Sequence, residues 1–410
     1  MKWRKVTLNS ISKKVLSGGT PLTSRPDYYN GDIPWAKTKE VNFNRIFDTE
    51  VKITQIGLDN SSAKLIPPRS VLIAMYGNGD TAGRCAINMI PLATNQACCN
   101  FTFDETLAYP EFMFYLISNH YRDFVNLKSG GAQLNLNGQT LKDFEVIIPP
   151  LPTQQKIASI LSAYDDLIEN NLKRIRLLEE AAQNLYREWF VQFRFPATEA
   201  APGYEDAEFV DGLPKGWERR SLIHLCKTIS SGGTPSRNKP TYWNSPDFEW
   251  IRTKELQDDF IHLAEEYISR EGLENSSAKL FPEGTIVMAI YASPTLGRMG
   301  ILTRDACFNQ ASVGFVVDEN FISNEFLYYK LLEERTNLNN KAIGAAQQNI
   351  NVQKVKDHEV LLPNKELIDK FTLWVKPLFE QRKKLGAQNL KLKEARDILL
   401  PRLMNQTIKV

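Results

Sequence analysis

The feature that most constrains this chain is an internal duplication, in which motifs from the first half of the sequence return about 214 residues later. The recurring motifs are SGGTP at residues 17–21 and 231–235, TKE at 38–40 and 253–255, NSSAKL at 60–65 and 275–280, and NQA at 95–97 and 309–311. Two copies of so long a unit indicate duplicated domains rather than a stack of short repeats.

Each copy starts with a region of strand-like and short helical patterns, here called a head. Head 1 is residues 1–150 and head 2 is residues 217–364. The continuous apolar runs VLIAM and IVMAI, at residues 71–75 and 286–290, predict buried strands. The pattern EFMFYLISNHY at residues 111–121 predicts a helix. We therefore expect both heads to be of mixed α/β type.

A long helical pattern follows each head, at residues 151–194 and 365–410. Residues 195–216, which are rich in Pro, Gly and acidic side chains, predict a linker between the first helix and head 2. Both helices carry apolar residues at steps of three and four, the heptad spacing of a coiled coil. The predicted seam residues are Ile157, Leu161, Ile168, Ile175, Leu178, Leu185, Phe371, Leu378, Leu385, Leu392 and Leu399.

The length of the helices constrains how the chain is assembled. A helix of about 40 residues extends roughly 60 Å and needs a partner along that length. Because the linker is too short to return so far, we expect head 2 near the far end of the first helix and an antiparallel second helix. The predicted fold class is therefore α+β: two similar mixed α/β domains joined by a long antiparallel coiled-coil helix pair, with an internal pseudo-two-fold repeat.

Polar residues also fall on the two seams. Asn171 lies on the first seam and could fix the register of the helices at some expense of stability. On the second seam, Arg382, Asn389 and Arg396 interrupt the apolar pattern. The sequence leaves open whether the helices act only as a scaffold or also set a distance between the heads.

Composition limits the class of protein. The net charge of +2 is too small to hold nucleic acid by itself, so cations that bind DNA would have to be gathered locally. No apolar run reaches the roughly 18 residues of a membrane helix, and the start of the chain lacks a signal-peptide core. The five cysteines and four histidines lack the spacing of a metal site. We therefore expect a cytoplasmic protein with reduced thiols and no metal.

With their neighbouring residues, the repeated motifs resemble the target-recognition domains of the specificity (S) subunits of type I restriction-modification enzymes. IPPLPTQQKIASIL and LLEEAAQNLYREWFVQFRF resemble that family's central spacer helix, and LKEARDILLPRLMNQTI resembles its distal helix. The resemblance covers essentially the whole chain. It implies a non-catalytic subunit that recognises a bipartite site in double-stranded DNA and holds two methyltransferase (modification) subunits, which restriction motor-nuclease subunits join. It also implies that S-adenosylmethionine is bound by the methyltransferase subunits and that this chain binds no cofactor.

Basic residues that recur in both heads are candidates to bind DNA phosphates, and recurring amides are candidates to bond to adenine edges. The predicted DNA contacts are Lys37, Thr38, Lys39, Lys64, Tyr76, Arg84, Asn95, Gln96, Gln133 and Asn135 in head 1, and Arg252, Thr253, Lys254, Lys279, Tyr291, Arg298, Asn309, Gln310, Gln347 and Asn349 in head 2. Helix caps, turns and solvated surfaces use the same residue types, so structural roles stay open for each. The backbone N–H groups of the SGGTP loop are a further candidate phosphate site, with a Gly-rich turn as the alternative.

A stand-alone DNA-modifying enzyme is the alternative from another functional class. Its support is a PD-x-ExK-like nuclease pattern, formed by Pro26-Asp27 and Glu50-Val51-Lys52, which head 2 repeats only in part. The Pro-Pro pairs at 67–68 and 149–150 follow isoleucine, whereas an amino-methyltransferase motif needs Asn, Asp or Ser before them. The sequence also lacks a phosphate-binding P-loop. We therefore predict no catalytic residue in this chain.

Overall fold

The computed structural model describes residues 3–77, 79–128, 135–196, 204–206, 209–210, 212–291, 294–341 and 349–410. Within it the chain forms two compact units. Unit 1 consists of Met1–Leu167 and Leu392–Val410, and unit 2 consists of Ile168–Lys391. Each unit therefore contains one head together with a part of each long helix.

Unit 1 is built on three antiparallel or mixed sheets. Its strands are β1 (Arg4–Thr7), β2 (Ser12–Ser17), β3 (Tyr29–Ala36), β4 (Asn44–Ile46), β5 (Lys52–Ile53), β6 (Val71–Ala74), β7 (Cys85–Asn88), β8 (Ala93–Thr94), β9 (Cys98–Phe103) and β10 (Glu145–Ile148). The main sheet has the order β2-β9-β6-β7-β4, a second has the order β5-β3-β8, and β1 pairs with β10. The short helices are α1 (Gln55–Asp59), α2 (Pro110–Asn119), α3 (Tyr121–Asn126) and α4 (Gly138–Asp143).

Burial on both faces explains the continuous apolar sequence of the central strand β6. Val71 and Ile73 belong to a large apolar core that includes the α2 side chains. Leu72 and Ala74 point to the opposite face and belong to a second, smaller core. A strand with both faces buried needs an apolar residue at every position, which is the pattern from which a buried strand was predicted.

Unit 2 repeats this arrangement. Its strands are β11 (Arg194–Pro196), β12 (Tyr204–Asp206), β13 (Phe209–Val210), β14 (Leu213–Pro214), β15 (Glu218–Ser221), β16 (Cys226–Ser231), β17 (Phe248–Ile251), β18 (Asp259–Ile261), β19 (Glu266–Ile268), β20 (Ile286–Ala289), β21 (Met299–Leu302), β22 (Cys307–Phe308), β23 (Ser312–Val317) and β24 (Glu359–Leu362). The orders β16-β23-β20-β21-β18, β19-β17-β22 and β15-β24 reproduce the three sheets of unit 1. Its short helices are α6 (Arg270–Glu274), α7 (Asn324–Asn339) and α8 (Val352–Lys356). The prediction of two similar mixed α/β heads is confirmed.

Two helices of 40 residues each follow the heads: α5 (Leu151–Phe190) and α9 (Lys365–Met404). In unit 1, Ile157 near the start of α5 shares a core with Leu403 near the end of α9. In unit 2, Trp189 near the end of α5 packs against Phe371 near the start of α9, with 5.9 Å between ring centroids. The two helices are therefore antiparallel within each unit, as the sequence predicts.

The predicted seam residues of both helices are buried to different degrees. Ile157, Leu161, Ile168, Phe371 and Leu385 are buried, and the half-buried ones are Ile175, Leu178, Leu185, Leu378, Leu392 and Leu399. None of the helices in the described part of the chain is long and apolar enough to cross a membrane. How the two heads are arranged about the helices stays a prediction.

The segment predicted as a linker, residues 195–216, contains short strands in its described part. β11 pairs with β12, and β13 pairs with β14. The aromatic side chain of Phe193 contacts Phe209 and Trp217 edge-on, with 5.5 and 5.4 Å between ring centroids. Through Phe193, these ring contacts connect β13 to Trp217 in the core of unit 2, a contact that composition alone does not reveal.

Candidate nucleic-acid interface

The repeated motifs of each head gather at one end of its main sheet, here called the loop end. In head 1, β2 ends at Ser17 where its neighbour β9 begins, and β6 ends at Ala74 beside the start of β9. β7 begins near Cys85, which pairs with Ile73 at the end of β6. The antiparallel order thus brings together the segments SGGTP, NQA, Met75–Tyr76 and Gly83–Arg84. Head 2 has the same register between β16, β23, β20 and β21.

The two glycines of SGGTP lie against neighbouring backbone. A Cβ atom on Gly18 would lie 2.1 Å from the carbonyl oxygen of Asn95, and one on Gly19 would lie 2.1 Å from the amide nitrogen of Ala63. Head 2 repeats the close approach, with 2.0 Å from Gly232 to Phe308 O and from Gly233 to Ser277 O. Glycine is required there because no other residue fits.

The backbone N–H groups of this loop are occupied within each head. In head 1, Gly18 donates to Cys98 O at 3.1 Å and Gly19 donates to Thr94 O at 2.8 Å. In head 2, Gly232 and Gly233 donate to Ser312 O and Phe308 O at 3.1 and 2.9 Å. These bonds favour the structural alternative over a phosphate-binding loop at these glycines.

A buried tryptophan connects the SGGTP loop to the second sheet. The indole N–H of Trp35 donates to Gly19 O at 3.0 Å, and that of Trp250 donates to Gly233 O at 2.9 Å. Both tryptophans are 3% exposed. The IPW and FEW segments therefore contribute a buried anchor rather than an exposed contact.

The TKE motif forms a short 3₁₀ helix in each head, Thr38–Glu40 and Thr253–Glu255. The carboxylate of Glu40 accepts hydrogen bonds from the backbone N–H groups of Lys37 and Glu50, at 2.8 and 2.9 Å. Glu255 accepts from Arg252 N and from Glu265 N in the same way. This carboxylate connects the backbone just before the motif to the segment that contains Glu50 or Glu265, so the motif has a structural role at its glutamate.

The recurring cations at this motif are paired with carboxylates. Lys39 forms an ion pair with Glu50, and Lys254 forms one with Glu265. The hydrogen bond from Lys39 lowers the pKa of the Glu50 carboxyl, and that bond also raises the pKa of Lys39. The same exposed ion pair is thus present in both heads, and a phosphate would have to compete with the carboxylate for each lysine.

The other residues of the TKE segment differ between the heads. In head 1, the ammonium of Lys37 lies 5.4 Å from the ring centroid of Trp35. In head 2, the guanidinium of Arg252 is paired with both Glu265 and Glu266 at 2.6 Å. The equivalent positions therefore carry a cation in both heads but hold it differently.

The remaining basic candidates lie on the adjoining segments. Lys64 is exposed, and Lys279 Nζ donates to Ser230 Oγ at 2.7 Å. Arg84 donates to Asn42 Oδ1 and Asp80 O, both at 3.0 Å. Its counterpart Arg298 is half-buried.

The amide candidates divide into structural and exposed residues. Asn95 and Asn309 each hold a turn: their N–H groups donate to Ala36 O and Ile251 O at 3.0 Å. Gln96 and Gln310 are exposed, and each accepts a hydrogen bond at Oε1 from the threonine of SGGTP, Thr20 or Thr234. That bond orients the glutamine side chain and leaves its NH₂ group for other acceptors. Gln96 and Gln310 are therefore the stronger candidates to contact bases.

Two further candidates, Tyr76 and Tyr291, lie just after the central strands β6 and β20, and two more, Asn135 and Asn349, lie on later segments. Tyr291 and Asn349 form an isolated β-bridge, and Tyr291 is 39% exposed. Tyr76 and Asn135 are half-buried at the corresponding positions of head 1. Leu136 N donates to Met75 O at 2.8 Å, which holds the Asn135 segment at the loop end. Gln133 and Gln347 lie outside the described residues.

Sequence comparison of the two halves missed one candidate, Arg237. Its guanidinium lies 3.6 Å from the ring centroid of Trp243 and 5.0 Å from that of Trp250, and it pairs with Glu266 at 2.6 Å. The same side chain lines an open cavity of about 400 Å³ with Trp243, Glu265 and Glu266. A search for cations that recur in both heads does not find Arg237, because the equivalent residue of head 1 is Thr23.

The acidic residues of the nuclease-like pattern have structural partners. Asp27 pairs with Arg25 at 2.8 Å, and Glu50 pairs with Lys39. Within the described ranges there is no group of three or more His, Cys, Asp or Glu that could hold a metal ion. Burial raises the pKa of the Cys85 and Cys307 thiols to about 12, which suits packing rather than nucleophilic chemistry.

Comparison with known proteins connects this architecture to one family. A family model described as the type I restriction modification DNA specificity domain matches residues 1–180 and 214–370. The chain is 28% identical to the type I restriction enzyme MjaIX specificity subunit of Methanocaldococcus jannaschii, over 97% of this chain and 91% of the relative. It is 26% identical to the HindI specificity subunit of Haemophilus influenzae, over 99% of both chains. The crystal structure of the type I restriction-modification S subunit from M. genitalium has a similar fold, with a TM-score of 0.60 at 15% identity over 98% of this chain and 96% of that one.

Proposed function

Because the chain belongs to the family of type I restriction modification DNA specificity domains, we propose that it recognises a bipartite site in double-stranded DNA, one half-site per head. The observation that carries this proposal is the duplicated loop end. In both heads, the NQA turn lies at the end of the main sheet and donates a backbone hydrogen bond to Ala36 O or Ile251 O, directly before the TKE segment. An arginine precedes the adjoining strand β7 or β21 at the same end of the main sheet.

The chemistry of these residues suits the surface of a DNA duplex. Lys39, Lys254 and the recurring arginines would neutralise phosphates, a contribution to affinity that does not depend on base sequence. Gln96 and Gln310 would bond to base edges in the major groove, where a carboxamide matches the donor and acceptor of adenine. Their threonine partners fix the direction of the amide before DNA binds.

Differences between the heads supply different specificities in this proposal. The frame of each loop end is common to both heads, because the glycines, the tryptophan and the glutamate of TKE make the same bonds in each. Arg237 with its partner Glu266 has no counterpart in head 1, where Thr23 and Val51 occupy these positions. A planar guanidinium held by a carboxylate and an indole ring is suited to a guanine edge, and we expect head 2 alone to use it.

We propose that the chain itself catalyses no reaction and holds partner enzymes. These partners are two methyltransferase (modification) subunits, which bind S-adenosylmethionine, and restriction motor-nuclease subunits. The support is the family and the ion pairs of Asp27 and Glu50. A stand-alone DNA-modifying enzyme remains the competing hypothesis, and none of the contacts made by the described residues favours it.

Methyl transfer separates these two hypotheses. The purified chain, alone and together with a candidate methyltransferase subunit, is offered DNA and a labelled methyl donor. We expect labelled DNA only when both proteins are present. Methylation by the chain alone would contradict the proposal.

Selection of DNA from a random library tests the bipartite site. The wild-type chain with its methyltransferase subunits should enrich two defined sequence blocks separated by an undefined spacer. Gln96→Ala should relax the preference in one block and Gln310→Ala in the other, because the two residues occupy equivalent places in different heads. A single block, or a change in both blocks with either variant, would count against one half-site per head.

A further inference from the structure

Three polar layers interrupt the apolar seam between α5 and α9. In unit 1, Arg396 donates to Asp165 Oδ1 at 2.6 Å. In unit 2, Asn171 donates to Asn389 Oδ1 at 2.9 Å, and Arg382 forms an ion pair with Glu179. The residues that seemed to interrupt the second seam are therefore each matched by a polar partner on the first helix.

Each of the three layers contains at least one buried side chain, and the other two residues, Glu179 and Arg396, are half-buried. Arg382 is 2% exposed, Asn389 5%, Asp165 7% and Asn171 8%. A buried charge or amide without a partner strongly destabilises a structure, whereas a matched pair is tolerated. These layers therefore contribute little to stability when matched and are severely unfavourable when mismatched.

The ionic layers have the same polarity in both units. Each head supplies an equivalent tyrosine: Tyr115 donates to Asp165 in unit 1, and Tyr329 donates to Glu179 in unit 2, at 3.0 Å for the second pair. In both layers the carboxylate comes from α5 and the arginine comes from α9. After a duplication, each helix could have supplied the carboxylate in one layer and the arginine in the other. Instead, α5 supplies both carboxylates.

The duplication shows what a second copy of α5 would present in place of α9. Both helices have 40 residues and begin at equivalent positions, Leu151 and Lys365, so the residues of one can be aligned with those of the other. The α5 residues equivalent to Arg396, Arg382 and Asn389 are Ala182, Ile168 and Ile175. Pairing α5 with another α5 would thus bury Asp165, Glu179 and Asn171 opposite apolar side chains.

A pair of α9 helices would be mismatched as well. The α9 residues equivalent to Asp165 and Glu179 are Phe379 and Lys393. Arg396 would then face an aromatic ring and Arg382 a second cation. They would lose the α5 carboxylates of Asp165 and Glu179 and keep only Asp397 and Asp259, which belong to the same half of the chain. The same three layers are matched when α5 pairs with α9 and mismatched when either helix pairs with a copy of itself.

We infer that these three polar layers select the partner of each long helix, so that α5 pairs with α9 and a second copy of either helix is rejected. Each long helix is therefore complementary to the long helix in the other half of the chain. The consequence for DNA rests on the proposed function: every assembly combines head 1 with head 2 and recognises two different half-sites, whereas a self-paired half would recognise an inverted repeat.

The test measures pairing without DNA, so its outcome is independent of the proposed function. A protease site is inserted between Ala200 and Ala201 of the full-length chain, and the folded protein is cleaved there. Isotope-labelled and unlabelled cleaved proteins are mixed, and urea is raised until labelled and unlabelled halves exchange. Native mass spectrometry then gives the amounts of mixed pairs and self-pairs at equilibrium.

We expect mixed pairs to exceed the statistical proportion by roughly a hundredfold or more. A variant with Leu at positions 165, 171, 179, 382, 389 and 396 should keep the helices paired and approach the statistical proportion. Arg176→Ala with Glu180→Ala removes an exposed ion pair of α5 and should retain the wild-type preference. Statistical pairing of the wild type would overturn the inference, and so would an unchanged preference in the leucine variant.

Discussion

The carboxylate of Asp165 accepts a 2.6 Å hydrogen bond from the guanidinium of Arg396, and Asp165 is only 7% exposed within unit 1. Arg396→Leu would leave this carboxylate without a cation and should destabilise unit 1 by about 3 kcal/mol. Adding Asp165→Leu should recover part of that loss, because two apolar side chains replace the ion pair while the buried hydroxyl of Tyr115 keeps only Ser162 as a partner. Urea unfolding of both variants measures the effect, and equal stabilities for them would contradict it.

The glycines of the SGGTP loop are expected to tolerate no side chain. Gly19→Ala and Gly233→Ala each place a Cβ about 2 Å from backbone atoms, and each should destabilise its head by about 1–3 kcal/mol. Gly138→Ala is the matched control, because nothing lies within 4 Å of its Cβ position. Thermal unfolding measures the difference. Equal midpoints for all three variants would show that the loop relaxes without strain.

The heads and helices were predictable because their signals are local. Val71–Ala74 is apolar at every position because both faces of the strand are buried, and the heptad pattern of α5 begins directly after head 1. Comparison of the duplicated halves also identified the residues that the two heads have in common. These signals depend only on residues close together in one sequence.

The contacts between distant residues were not predictable in the same way. Lys39 and Glu50 are separated in sequence, and Glu40 helps to bring them together by accepting hydrogen bonds from the backbone of both segments. Arg382 and Arg396 look like interruptions when α9 is considered alone, since their carboxylate partners belong to α5. Arg237 was missed because comparing the two halves detects what the heads share and not what distinguishes them.

The stability of unit 2 should depend on the ionisation of Glu334. Burial raises the pKa of this carboxyl, but hydrogen bonds from His358 and Asn337 and the charge of Lys330 outweigh burial and hold the pKa at about 2. Because the folded pKa lies below the ordinary value of 4.5, the carboxylate stabilises the fold above that pH and loses its contribution as the pH falls towards 2.

Replacing Glu334 tests this dependence. Glu334→Gln should be less stable than the wild type at neutral pH, and the difference in unfolding free energy should shrink from about pH 5 to about pH 2. Urea unfolding at several pH values, followed by tryptophan fluorescence, measures it. A difference that stays constant over this range would mean that the charge of Glu334 does not stabilise unit 2.

Removing the recurring lysines should weaken DNA binding without changing its sequence preference. Lys39→Ala and Lys254→Ala each remove one candidate phosphate contact, so the slope of log affinity against log salt should fall by about 0.9 per substitution. Lys5→Ala is the control, because Lys5 is also exposed and paired with a glutamate, but on β1. Altered specificity with an unchanged salt slope would show that these lysines contact bases.

Removing the carboxylate partners should have the opposite effect on affinity. Glu50→Gln releases Lys39. Glu265→Gln releases Lys254 and leaves Arg252 paired with Glu266 alone, because these carboxylates compete with DNA for the cations. The backbone of both segments should persist, because Glu40 and Glu255 hold it through main-chain N–H groups. We therefore expect tighter binding and a steeper salt dependence, with a larger change for Glu265→Gln than for Glu50→Gln. Competition binding measures both, and weaker binding by either variant would mean that the ion pair orients its lysine for DNA.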